Sequence, residues 1–469
     1  MTDLSNRGRA KVGGEPRAYR AELPTRPEAT PRYAAWQPFA VVVLLVVLVA
    51  VIGLWMADPA VWSTGSGLVM IPVLTALTIP LFVRAGRDAM RFDIVGIMAV
   101  GLFARFVASL ARYSSRQDAG RYFDVGEVLA VAFRNLQFDV DTGRPFPGTG
   151  GMRYLTGLVN VLTNSNEFAT FLVFAWLSFI GCYLFYRAMV IALPDADLHR
   201  YALLIFLWPS MVFWPSSIGK DGWILFTLGI ASVGAARVLV RRPGGYAFLV
   251  VGLLLASIVR PHLAVIAVVA FAISLLIGRR TTVATRAVTP GSVAKVAGLV
   301  ILLAVGAVLA NRLGDFLDAN DIDGIDNALE ANVSRTGDEG TSVFDAPDPQ
   351  NPLGYAEAAV TILFRPFVFE TSGVEQFVTA LEAVFLAGLA IASWRRLVSV
   401  PFRLRRDPYV AYATFMVLMF IFLLGTIANF GILARQRTQV MPFLFVLLCV
   451  TVAVKVKPAR APVRPRLRT

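Results

Sequence analysis

The chain has 469 residues, of which 57% are hydrophobic and 16% charged, with a net charge of +13 at neutral pH. Its mean hydropathy is +0.65. Soluble domains carry about 45–50% apolar and about 25% charged residues, so much of this apolar surface must face lipid, which excludes a soluble enzyme, a disordered chain and a disulfide scaffold.

Residues 1–38 are polar, rich in Pro and Arg, and precede the first apolar run without a small-residue cleavage site. They read as a disordered basic cytoplasmic tail rather than a signal peptide. Crossing a bilayer takes about 20 mostly apolar residues. Twelve runs approach this: Phe39–Met56, Gly67–Val83, Ile94–Ala111, Phe168–Tyr186, Tyr201–Trp214, Ile218–Ala236, Tyr246–Val259, His262–Gly278, Val296–Ala310, Gln376–Trp394, Pro408–Phe430 and Val440–Val454. The predicted fold is therefore all-α, a polytopic integral membrane protein. Two N-terminal helices lie in 39–93, a main transmembrane module covers 94–455, and 456–469 form a second basic tail. The fifth run carries Pro209 and leads almost directly into the sixth, as in a kinked hairpin. Cys182 and Cys449, the only cysteines, both lie inside apolar runs, which argues against a disulfide framework or a Cys-based metal site.

Basic residues bracket the apolar runs, which points to topology and anionic headgroups rather than nucleic acid. With both termini in the cytoplasm, the cytoplasmic segments hold most of the 44 Lys and Arg and a minority of the 31 acids. The clearest inside markers are Arg241-Arg242, Arg279-Arg280, the Arg395–Arg406 loop and the tail after Lys455. Two segments on the outer side are long. Arg112–Glu167 holds amphipathic stretches near Glu127–Leu136 and Met152–Leu162, expected to lie flat at the interface. Asn311–Glu375 begins acidic and ends in the apolar stretch Ala356–Phe369, interrupted by Arg365. Elaboration of one face marks it as the working face.

The charged residues on that face follow in chain order. Past the third run, Asp118 and Asp124 flank Tyr122 in Gln117-Asp118-Ala119-Gly120-Arg121-Tyr122-Phe123-Asp124, expected before the first flat helix. A carboxylate here is placed to take a proton from an acceptor hydroxyl; the plainer alternative is a loop salt bridge to Arg116 or Arg121. Asp139 and Asp141 read as a turn. Ser216-Ser217-Ile218-Gly219-Lys220-Asp221, Arg260-Pro261-His262 and Arg435-Gln436-Arg437 all stand at the outer N-termini of inward-running helices. Such ends carry partial positive charge and free N–H groups. Lys220, Arg260, Arg435 and Arg437 gathered there suggest a phosphate or pyrophosphate site, with Arg365 a weaker candidate. Snorkelling anchors are the alternative reading of any single one. His262 is a candidate base or phosphate donor, and a structural histidine equally; His199 reads as a solvated loop residue. Asp321-Ile322-Asp323-Gly324 with Glu330 is a partial calcium loop lacking its first ligand at Ala319. No P-loop, dinucleotide fingerprint, HExxH or GxSxG motif stands in a suitable context.

This organisation resembles the polytopic envelope glycosyltransferases of the C-type superfamily and the related Wzy-type polysaccharide polymerases. In the former, a helix running outward is followed by a long outer loop that begins with a catalytic acid and continues in flat helices. The third run, Asp118 and Arg112–Glu167 correspond, and Asn311–Glu375 matches the second long loop. The strings WPSSIGKDGW, RPH, FRPF and ARQRTQVMPF are similar to those of bacterial membrane proteins grouped with the polymerases and ligases. The resemblance covers roughly 94–455. It departs in that two helices precede the acid and that Gln117, not an acid, precedes Asp118. It implies sugar transfer from a polyprenyl-phosphate-linked or pyrophosphate-linked donor to a glycan acceptor on the outer face of a bacterial cytoplasmic membrane. Asp118 or His262 would be the base, and Lys220, Arg260, Arg435, Arg437 and Arg365 would hold phosphate, with Asp124, Tyr122 and Asp221 nearby. Partners would be lipid-linked sugar, glycan acceptor and membrane lipid, with other envelope-assembly proteins open and no nucleic acid. No cofactor is demanded; a divalent metal is left open. A polymerase or ligase acting on pyrophosphate-linked glycans is one alternative. A transporter is another, although the connection between the sixth and seventh runs is short and only Arg105 and Glu382 fall in the middle of runs. A non-catalytic scaffold is a third.

Overall fold

A computed structural model gives the fold. It describes residues 64–88, 92–278, 306, 347, 351–371, 373–425, 427 and 429–451. Every regular element among these is a helix. After a 3-10 turn at Thr64–Val69 come α1 (Met70–Asp88), α2 (Ile94–Tyr113), α3 (Gln117–Arg134), α4 (Thr149–Leu162), α5 (Glu167–Ala192), α6 (Leu198–Leu207), α7 (Pro209–Phe213) and α8 (Lys220–Leu239). They are followed by α9 (Gly245–Ser257), α10 (Pro261–Ile277), α11 (Pro352–Phe364), α12 (Val374–Ala392), α13 (Trp394–Arg403), α14 (Pro408–Leu424), α15 (Phe430–Arg437) and α16 (Met441–Cys449).

The boundaries follow from local chemistry. Asp93, Asn166, Asp197, Asn351 and Asn429 each accept a backbone N–H of the first helical turn, as N-cap residues do. Proline opens α7, α10, α11, α14 and α16, where its missing N–H has no partner to lose.

Among the described residues, five helical segments are long and apolar enough to cross a membrane: Gly67–Arg87, Ile94–Tyr113, Glu167–Ala192, Lys220–Leu239 and Val374–Ala392. Two bent pairs, α13 with α14 at 110° and α15 with α16 at 56°, bring the number to seven if each is one span. The predicted runs at 201–214, 246–259 and 262–278 form shorter helices. Those at 39–56 and 296–310 lie outside the described residues, apart from Gly306, as do the partial calcium loop and most of the segment 311–375 up to residue 350.

Helices α5 and α8 form the buried centre and run parallel. They touch backbone to backbone: a Cβ on Gly181 would stand 2.5 Å from the Leu225 carbonyl, and one on Gly229 2.7 Å from that of Gly181. Small residues at such crossings supply the close packing that apolar surface alone does not provide in lipid.

Between these two helices in sequence, the chain breaks inside the bundle. Helix α6 stops at Leu207, Trp208 is extended, and Pro209 starts α7. The two charges predicted within spans sit at this break. Arg105 of α2, fully buried, donates to the carbonyls of Phe206 at 3.0 Å and Met211 at 3.3 Å, and to Cys182 Sγ at 3.0 Å. Glu382 of α12 accepts from the Ser210 N–H at 2.8 Å, from its hydroxyl and from Trp208 Nε1. One residue serves the loose carbonyls and the other the loose donors, so that backbone freed from its own helix stays satisfied.

Candidate functional site

The bundle has two distinct ends. At one, the C-terminus of α2 meets the N-termini of α8 and α10, the α3–α4 pair and α15. Helix α4 is pinned there because the Gly148 N–H donates to the Ile258 carbonyl at 3.0 Å, in the turn joining α9 to α10. Gly151 packs so closely on that carbonyl that a Cβ would come within 2.2 Å. This holds Thr149 beside Lys220, whose Nζ donates to the Thr149 hydroxyl at 3.2 Å.

At the centre of this end is Asp221. It lies in the first turn of α8 and is 1% exposed. Its carboxylate accepts from Arg260 Nη2 at 3.3 Å, from Gln439 Nε2 at 3.2 Å and from Arg435 Nε. A buried carboxylate is tolerated only when its charge and lone pairs are answered, and here two guanidiniums, an amide and the helix N-terminus answer it. The same Arg435 reaches outward: its Nη1 stands 3.4 Å from Asp118 Oδ2. The Asp118 side chain is 59% exposed and that of Asp221 2%. Arg435 thus links a sealed acid to an open one.

The surrounding charge is cationic. Lys220 lies within electrostatic reach of Arg260 and Arg435. Arg112 lies within reach of Arg435, Asp118, Asp221 and Glu375, with its guanidinium 5.2 Å from the Phe213 ring centre and 5.0 Å from that of Trp214. Lys220, Arg112, Arg260 and Arg435 therefore face Asp118, Asp221 and Glu375. Among the described residues, Arg260 Nη1 is buried and has no hydrogen-bond partner. Arg112 Nε at the same end is likewise unpartnered, as are guanidinium nitrogens of Arg105, Arg153 and Arg437, so the Arg260 atom is a spare donor but not a distinctive one. Beside Arg435 opens a cleft of about 290 Å³, lined by Trp214, Pro366, Glu375, Gln376, Thr379, Asn429 and Phe430 among others.

Of the predicted phosphate cations, Lys220, Arg260 and Arg435 come together. Arg437 does not join them. It is fully buried, donates to the carbonyls of Leu363 at 3.2 Å and Arg365 at 3.1 Å, and stands 4.0 Å from Glu382. Residues two apart on a helix point to opposite sides. Gln439, one turn beyond Arg435, turns back to Asp221. Arg365 is taken up by Glu370 at 2.5 Å and lies 5.1 Å from the Phe430 ring centre. Burial pushes the Glu370 carboxyl up, but the hydrogen bonds from Arg365 and the Phe367 N–H outweigh it and hold the group below its usual range.

The acids also differ from expectation. Asp118 and Asp124 stand inside the first helix of this segment, in α3, not before it. Because α3 already begins at Gln117, Asp118 falls in its first turn, where it meets Arg435 in place of Arg116 or Arg121. Arg116 instead pairs with Asp124 at 3.2 Å and Glu167 at 2.8 Å. Tyr122, one turn after Asp118, is buried at the edge of the cluster. Burial, and then the charge of Asp118, push its phenol up. His262, second in α10, shares this end with Arg260 and Lys220. Asp141 accepts the Gly143 N–H at 2.8 Å, the turn expected there. Among the described residues no three His, Cys, Asp or Glu side chains gather as a metal site would require.

The chain matches no family model, no curated protein and no solved structure.

Sequence reasoning did not single out Arg112, Thr149, Gln439, Glu375 and Trp214 as site residues. Gln439 had a usable signal, its spacing of four from Arg435. The other four reach this end by tertiary packing and carried none.

Proposed function

We propose that the protein is a membrane glycosyltransferase that moves a sugar from a polyprenyl-phosphate-linked donor to an acceptor hydroxyl at the extracytoplasmic face of a bacterial cytoplasmic membrane. The observation that carries this reading is Arg435, which joins an exposed carboxylate, a cation cluster and an aromatic-walled polar cleft in one place. Sugar transfer from a lipid phosphate needs those three parts. The acceptor oxygen attacks the anomeric carbon, the bond from that carbon to the phosphate oxygen breaks, and the acceptor proton passes to Asp118. The departing phosphate is a good leaving group and needs cations rather than an acid. Lys220, Arg260 and Arg435 are those cations, with the unpartnered Arg260 Nη1 as a spare donor.

The cleft accounts for the sugar. Trp214 and Phe430 offer ring faces, and Glu375, Gln376 and Thr379 offer polar partners for hydroxyls. The exposed apolar side chains Val128, Val131, Leu158 and Leu162 on α3 and α4 fit a helical pair lying on the bilayer, where a lipid-linked donor enters. A polymerase or ligase acting on pyrophosphate-linked glycans would use the same parts. The carrier alternative loses its two in-span candidates, because Arg105 and Glu382 are consumed by the α6–α7 break.

Proteoliposomes of the purified protein, given radiolabelled polyprenyl-phosphate sugar and an oligosaccharide acceptor, should release polyprenyl phosphate and label the acceptor. Failure to do either, together with no retention of polyprenyl phosphate by the protein, would end this reading.

A further inference from the structure

The opposite end of the bundle carries a second feature that does not depend on the proposed activity. Helix α12 runs away from Glu375 to Ala392, and α13 follows it with a 110° turn into α14. At this end Arg396 pairs with Asp197 at 3.0 Å and Arg200 donates to Ser393. Helix α14 is packed into the core, so α13 lies across the end of the bundle rather than along it.

The apolar residues of α13 fall into two rows. Leu397, Val400 and Leu404 pack on the core. Trp394, Val398 and Phe402 recur every four residues and are 56%, 59% and 82% exposed. Three turns of uncovered apolar side chains on a crosswise helix suit the level where headgroups meet acyl chains, and tryptophan is the residue most at home there.

Next to this row a groove of about 1040 Å³ runs between α13 and the end of α10, with Leu276, Ile277, Phe402 and Leu404 as apolar lining and Arg405 and Arg406 as charged lining. Arg403 is taken by Asp407 at 3.1 Å. The side chains of Arg405 and Arg406 are exposed and, among the described residues, have no hydrogen-bond or ion-pair partner. Apolar lining combined with two unneutralised guanidiniums is complementary to one amphiphile, a lipid with acyl chains and a net-negative phosphodiester.

We propose that this groove is a binding site for an anionic diacyl phospholipid, with Arg405 and Arg406 on the headgroup phosphate and Phe402, Leu276 and Ile277 on an acyl chain. The site is at the end of the bundle away from Asp118 and Asp221, so it stands or falls separately from the glycosyltransferase reading.

The test uses the full-length protein, purified in detergent and offered phosphatidylglycerol, phosphatidylcholine or inorganic phosphate, with bound lipid counted by native mass spectrometry. Wild type should retain phosphatidylglycerol over phosphatidylcholine by about tenfold or more, from two cations at the headgroup. The double variant Arg405→Gln/Arg406→Gln should lose that preference, and Phe402→Ser should lower retention of both lipids. Arg241→Gln/Arg242→Gln, which removes an exposed basic pair elsewhere, should leave the preference unchanged. Equal retention of the two lipids by wild type, or an unchanged preference in the Arg405/Arg406 variant, would overturn the proposal. So would displacement of phosphatidylglycerol by millimolar inorganic phosphate, which would make the site a simple anion trap. A change of oligomeric state with no change in bound lipid would instead make the groove an interface between copies. If the double variant does not fold, wild type in high salt decides, since screening should remove the preference and its persistence would refute the assignment.

Discussion

Asp118 and Asp221 share one guanidinium, that of Arg435, from opposite sides of the protein surface. Asp221 binds its Nε from inside and Asp118 approaches its Nη1 at 3.4 Å from the exposed side. The two carboxylates are therefore unlike: the buried one fixes where Arg435 points, and the exposed one is open to solvent, where the proposed function would put an acceptor. Removing them should have different consequences.

Asp118→Asn keeps the shape and removes the proton acceptor. Transfer should fall by about 10²–10⁴, the usual cost of losing a general base, with normal insertion and near-normal thermal stability, because the lost ion pair is largely exposed and worth about 1 kcal/mol or less. Asp139→Asn, in the exposed loop between α3 and α4, should keep full activity. Acceptor labelling per folded molecule in proteoliposomes measures both. An Asp118→Asn protein with normal transfer, beside an inactive His262→Ala protein, would move the role to the histidine and favour the polymerase or ligase reading.

Asp221→Asn should act on folding first. It leaves the buried Arg260 and the half-buried Arg435 beside a neutral amide, and breaking a buried pair typically costs about 3–5 kcal/mol. A lower thermal midpoint in detergent and reduced abundance in membranes are the expected results. Introducing Asp221→Asn together with Arg435→Gln should cost less than the sum of the two single changes, since the charges are removed as a pair. Additive losses would show that the two side chains are not energetically coupled.

Much of this end of the molecule was legible in the sequence. The strings around Lys220 and Arg260 stand at the starts of α8 and α10 as expected, but Arg435 and Arg437 do not open a helix: they lie in the last turn of the short helix α15, and the next helix begins only at Met441. Direction was not legible. Arg435 and Arg437 are two residues apart, and only the packed helix shows that the first looks into the cluster and the second toward the Leu363 and Arg365 carbonyls. The break at Pro209 was visible as a proline in an apolar run. That Arg105 and Glu382 serve it was not, because they lie on α2 and α12, far from it in the chain. The count of spans was the least legible feature. Hydropathy cannot separate a full crossing from helices such as α9 and α10, which are 13 and 17 residues long.

The helix break makes its own prediction. Arg105→Met fills similar volume but leaves the Phe206 and Met211 carbonyls without this donor inside the bundle. Each buried unsatisfied group costs about 1–3 kcal/mol, so the thermal midpoint should drop sharply. Glu382→Gln keeps one acceptor oxygen, which can still take two hydrogen bonds, but no longer faces Arg437 as an anion, and should be destabilised less. A carrier using Arg105 for coupling would instead remain folded and lose transport, which separates the structural role from the functional one.

Orientation is open to direct measurement. The cluster lies at one end of the bundle and α13 at the other, so a bundle that spans the membrane should label at the two from opposite sides. Cys182 and Cys449 are buried, which keeps the background of a thiol-labelling experiment low. Gln137→Cys, exposed in the loop after α3, should react with a membrane-impermeant maleimide on intact cells. Ser399→Cys, on α13, should react only after the membrane is opened. The Arg395–Arg406 segment is the reason to expect this sense, because arginine-rich short loops stay on the cytoplasmic side. Labelling of Ser399→Cys from outside intact cells would turn the protein over. Asp118, Arg435 and the cleft would then face the cytoplasm, where a sugar nucleotide rather than a lipid-linked sugar would be the natural donor.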